Sequence, residues 1–111
     1  RSRTNPVPPG KDSLAEGARL YADNCRACHG EDGKGHGPVA RRMGFSAGDL
    51  TASGEAAGET DGAIRWKIAT GRDPMPGFAG GKRLTETEIW ILVRYLRSLQ
   101  SGSAPPPGRG R

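Results

Sequence analysis

Cys25-Arg26-Ala27-Cys28-His29 constrains this chain more than any other stretch of it. On a helix, positions i, i+3 and i+4 share one face, so two thiols and an imidazole at this spacing can converge on a single group. Cys-x-x-Cys-His is the pattern of covalent c-type haem attachment, two thioethers to one porphyrin with the imidazole reaching the iron. Rival chemistries fit less well. A thiol redox site would need a βαβ pattern around the cysteines, and none is present. A zinc site needs four good ligands, whereas the chain has two Cys and two His in all, with His29 adjoining Cys28. A disulfide between Cys25 and Cys28 would strain a helix and leave His29 without a role.

Composition agrees with a prosthetic group. The 111 residues suit one domain, yet Leu, Ile, Val and Phe together make up only about 14% of them, below the roughly 20% at which disorder is expected. With 18 Gly and 9 Pro, side chains alone supply little core. A flat apolar disc wrapped by a short chain supplies the rest, as staples do in small domains. The net charge of +5 lies mostly in the tails: Arg1, Arg3, Arg109 and Arg111 stand in segments without acids. The remainder is close to neutral, which argues against a nucleic-acid partner. No stretch is apolar enough to insert in a membrane, and no initiator Met or signal peptide is present, so a processed or excised chain is expected.

Residues 1–10, with Pro6, Pro8, Pro9 and Gly10, read as a Pro-rich extended arm. Residues 11–100 read as the domain and 101–111 as a disordered basic tail. A capping box, Ser13-x-x-Glu16, predicts a first helix whose stripe of Leu14, Ala18, Tyr21, Ala22 and Cys25 runs into the motif, with Gly30 closing it. A glycine-rich loop at 30–37 follows; no strand precedes it, so it is not a phosphate loop. Pro38 starts a short helix to Met43, closed by Gly44. A third helix is predicted from Thr60 or Asp61 to Thr70, turning Ala63, Ile64, Ile68 and Trp66 inward. A second capping box, Thr85-x-x-Glu88, opens a final helix to about Leu99 with Ile89, Leu92, Val93, Leu96 and Leu99 on its apolar side. No period-2 strand emerges, so the fold class is all-α.

An iron held by His29 needs a partner on its other face. His36 follows too soon to cross the porphyrin edge, and Met43 lies on a short helix where packing would explain it. Met75 stands in Asp73-Pro74-Met75-Pro76-Gly77, where two prolines restrict the backbone and so pre-set the sulfur. Met75 is the expected sixth ligand and Met43 the fallback.

Over about residues 13–99 the chain resembles the class I monohaem bacterial cytochromes c. The resemblance is carried by the Cys25–His29 motif, by Gly-x-Gly-Pro at 35–38, by Met75-Pro76 before the last helix, and by Gly17 and Tyr21 set to meet Leu92 and Tyr95. It implies terminal helices packed together around one haem c, bound through Cys25 and Cys28 and ligated by His29 and Met75. It also implies that the Pro38 carbonyl orients the His29 ring and that Trp66 touches the haem, ordinary core being the alternative for Trp66. The implied function is one-electron transfer by a low-spin haem, without substrate chemistry of its own. The carrier would be soluble or tethered, periplasmic or otherwise extracytoplasmic, meeting donor and acceptor proteins transiently. The alternative is an excised domain or subunit of a membrane oxidoreductase complex. A ligand sensor or peroxidase, in which Met75 leaves the iron open, is the third reading.

Overall fold

The structure is a computed structural model, which describes residues 4–30, 32–44, 47–51, 54–71, 77 and 84–105. The described residues form five α-helices and no strand: α1 Lys11–Asn24, α2 Arg26–His29, α3 Pro38–Met43, α4 Asp61–Thr70 and α5 Glu86–Ser101, with a 3-10 turn at Glu55–Gly58.

The core lies where α1 crosses α5. Gly17 makes the crossing possible, because a Cβ there would stand 2.7 Å from Tyr95 Cβ and 3.3 Å from the Ile91 carbonyl. One turn on, the Tyr21 and Tyr95 rings meet at 5.3 Å between centroids, tilted by 39°. Leu20, Ile89, Trp90, Leu92, Val93 and Leu96 fill in around them, and Ile64 and Ile68 bring α4 onto the same cluster. Buried in this way, each large side chain contributes about 1.5–3 kcal/mol.

Helix ends show where local signals prevail. Thr85 caps α5 reciprocally: its Oγ1 accepts from Glu88 N at 3.1 Å while its own N–H donates to Glu88 Oε1 at 2.9 Å. Thr60 caps α4 through Ala63 N. The expected box at Ser13 does not form. The helix begins two residues earlier, after Gly10 and without a side-chain cap. Ser13 then lies inside the first turn, where its hydroxyl donates to the Pro8 carbonyl, and Glu16 pairs with Arg19.

Both tails are more engaged than their composition suggests. Asn5 is buried, donating from Nδ2 to the Trp90 carbonyl and accepting from Val7 N, each at 2.9 Å. Arg94 Nε donates to the Val7 carbonyl. The arm is thereby laid along α5. At the other end α5 includes Ser101, Gly102 turns left-handed to close it, and Tyr95 Oη donates to the Pro105 carbonyl at 2.7 Å. Residues 106–111 lie outside the described residues.

Candidate functional site

The first helix does not run unbroken through the motif. Cys25 leaves helical geometry (φ −122°, ψ −32°) and separates α1 from the short α2. Its backbone stays tied to both sides, Cys25 N to Tyr21 O and His29 N to Cys25 O. Gly30 ends α2 at φ 82°, ψ 168°, positive but not left-handed helical, and its carbonyl accepts from the buried Tyr21 Oη at 2.6 Å.

The loop after it is hung from α2. Gly35 N donates to His29 O and Gly37 N to Cys28 O. A Cβ on Gly37 would fall on the Ala27 carbonyl, so glycine here lets α3 start directly against the cysteine helix. The same loop pairs with a later segment, Ala47 N to Gly35 O and Leu50 N to Gly33 O. Asp49 Oδ1 tightens that segment by accepting from Thr51 N and Oγ1.

This pairing delivers the Gly48 carbonyl to His29 Nδ1 at 2.9 Å. A carbonyl can only accept, so Nδ1 carries the proton and Nε2 keeps its lone pair for a metal. The expected partner was Pro38. In the structure the Gly48 carbonyl, nineteen residues beyond His29, meets Nδ1 instead, and Pro38 is the exposed first residue of α3. Burial lowers the His29 pKa, with the Gly48 bond opposing, so the neutral, ligating form is favoured.

His29 and Cys25 stand on the wall of a cavity of about 270 Å³ whose other walls include Leu50, Ile64, Ile68, Leu92 and Leu96. Trp66 also lines it while remaining 42% exposed, so it is not ordinary core. Burial pushes the Cys25 thiol up to about 12, the neighbouring Cys28 adding to the effect. Cys28 is half-buried and does not line this cavity. No disulfide joins the two cysteines. Among the described residues no three His, Cys, Asp or Glu cluster as a bare metal ion would require. A sulfur, a presented imidazole nitrogen and an apolar cradle together suit a haem.

Of the sixth-ligand candidates, Met75 lies outside the described residues. Met43 is 67% exposed on α3 and does not line the cavity, so it is neither core nor placed as a fallback ligand. His36 lines a separate recess with Asp32, Pro38 and Arg41. Sequence reasoning missed Gly48, for which no local signal exists. It also missed Glu59 and Lys67, which line the cavity and pair at 2.5 Å.

Comparison with known proteins agrees with this geometry. The family described as cytochrome C oxidase, cbb3-type, subunit III matches residues 12–96. The chain is a class I cytochrome c. It is 36% identical over 96 residues to a cbb3-type cytochrome c oxidase subunit FixPc of Rhizobium leguminosarum bv. viciae, covering 86% of this chain and 31% of that one. It is 32% identical over 83 residues to a cytochrome c6 of Parathermosynechococcus lividus, covering 75% and 86%. Among solved structures, the KustC0563 c-type cytochrome superposes with a TM-score of 0.60 at 27% identity, covering 76% and 96%. The chain thus spans about a third of the oxidase subunits it matches. As a class I cytochrome c it carries covalently attached haem c.

Proposed function

We propose that this cytochrome c is a one-electron relay domain of a larger membrane-associated oxidoreductase, of the terminal-oxidase kind, working outside the cytoplasmic membrane. It performs no substrate chemistry of its own and meets its redox partners transiently, as small, weak redox interfaces allow. The observation that carries the electron-transfer part is the His29 ring on the wall of an apolar cavity, its Nδ1 engaged by the Gly48 carbonyl so that Nε2 keeps its lone pair. The larger assembly is supported by relatives named as cbb3-type oxidase subunits, of which this chain matches a third. A free carrier is the second reading, favoured by the cytochrome c6 match over 86% of that protein.

Cys25 and Cys28 would hold the haem through thioethers, and His29 would bind the iron through Nε2. Haem iron supplies the one-electron couple. Met75 would be the second protein ligand to the iron, and with both ligands bound the iron would have no vacant site for oxygen or substrate. Its soft sulfur favours ferrous iron and raises the potential, and the apolar walls of Ile64, Ile68, Leu92 and Leu96 act in the same direction by disfavouring the extra ferric charge. Trp66, at the cavity wall and partly in solvent, is placed to touch the porphyrin.

An optical spectrum of the ferric protein tests the ligand set: a weak band at the red end of the visible marks iron–thioether bonding. Met75→Ala abolishes that band, lowers the potential and opens the iron to carbon monoxide, while Met43→Ala changes none of these. The reverse result would transfer the ligand role to Met43, and carbon monoxide binding by the unaltered protein would favour a sensor or peroxidase.

A further inference from the structure

We propose that Glu59 and Lys67 form an opposed charge pair on the wall of the haem cavity that sets the iron's reduction potential, Glu59 lowering it and Lys67 raising it. The proposal rests on haem occupying the cavity and is independent of which protein partners the domain serves.

Both residues line the cavity that His29 faces, and Lys67 Nζ meets Glu59 Oε2 at 2.5 Å. The pair is asymmetric. The Lys67 side chain is 46% exposed and that of Glu59 24%. The second carboxylate oxygen, Oε1, is fully buried without a hydrogen-bond partner. A buried acceptor without a donor is costly and persists only where the backbone is held. Here α5 does the holding: Arg97 Nη2 donates to the Glu59 carbonyl, its Nε to Asp61 Oδ1 at 2.8 Å and its Nη1 to Gln100 Oε1 at 2.8 Å. Thr60, capping α4, fixes the next residue.

Ferric haem carries one more positive charge than ferrous haem. A carboxylate on the cavity wall therefore stabilises the ferric state and an ammonium the ferrous state. The more exposed Lys67 is screened by water and salt, whereas Glu59 presents an oxygen that water does not reach. The net effect of the pair is to lower the potential. The other carboxylate on the cavity wall, Asp49, is engaged by Thr51, and Asp61 is paired with Arg97.

Spectroelectrochemical titration of the holoprotein at neutral pH tests this with Glu59→Gln, Lys67→Gln, Lys67→Arg and the Gln/Gln double variant. The expected shifts are upward for Glu59→Gln, downward and smaller for Lys67→Gln, close to none for Lys67→Arg, and net upward for the double variant. A pair that only braces the loop would shift the potential the same way in both Gln variants, through hydration of the cavity. That result, or no shift in either, overturns the proposal. If Glu59→Gln does not fold, the contrast between Lys67→Gln and Lys67→Arg still decides, since only the first removes charge. A colourless unaltered chain would overturn the haem assignment itself, which separates that failure from this one.

Discussion

At the scale of single residues, the histidine of the motif shows how local and remote information combine. His29 is the iron ligand expected from its two neighbouring cysteines. Its orientation was not, because the Gly48 carbonyl reaches Nδ1 only through pairing between residues 33–35 and 47–50. The two tyrosines carry a testable pH dependence. Burial raises Tyr95 from 10.0 to about 12 and raises Tyr21 as well. Unfolded phenols ionise near 10, so above that pH the unfolded state binds fewer protons than the folded one. The stabilisation is full below about pH 10 and is lost as pH rises through about 12. Phenolate absorbance should therefore appear late and together with loss of helical circular dichroism. Ionisation near pH 10 with the helices intact would contradict the burial of both rings.

Among the elements, the two capping boxes separate a pattern from its use. Both Ser13-x-x-Glu16 and Thr85-x-x-Glu88 fit the same sequence rule, yet only the second closes. Thr85→Ala should cost about 1 kcal/mol in denaturant unfolding, while Ser13→Ala should stay within about 0.5 kcal/mol. Equal losses would mean that Ser13 caps α1 after all. The α1–α5 crossing makes a stronger demand. Gly17→Ala places a Cβ against Tyr95 Cβ, and overpacking of this kind costs about 1–3 kcal/mol. An alanine variant as stable as the parent would show that the helices do not cross so closely.

For the whole molecule, the low aliphatic content makes the prosthetic group part of the core. The apolar walls of the cavity, Ile64, Ile68, Leu92 and Leu96 among them, are contributed by α4 and α5 and would otherwise face a void. The haem-free chain should lose most of its helical circular dichroism and show no cooperative thermal transition; a native-like apo form would count against that dependence. The tails matter at this scale too. The buried Asn5 and the bond from Tyr95 to Pro105 bring segments from both sides of the domain onto α5.

The sequence by itself determined the attachment motif, the helical class, and the starts of α3, α4 and α5, because each is written in residues a few positions apart. Only the tertiary structure decided the partner of His29, the exposure of Met43, the burial of Trp90 and Asn5, and the meeting of Glu59 with Lys67 on the cavity wall. Those outcomes depend on which distant segments share a wall. Spacing along the chain encodes neighbours within a turn or two, whereas packing selects the rest.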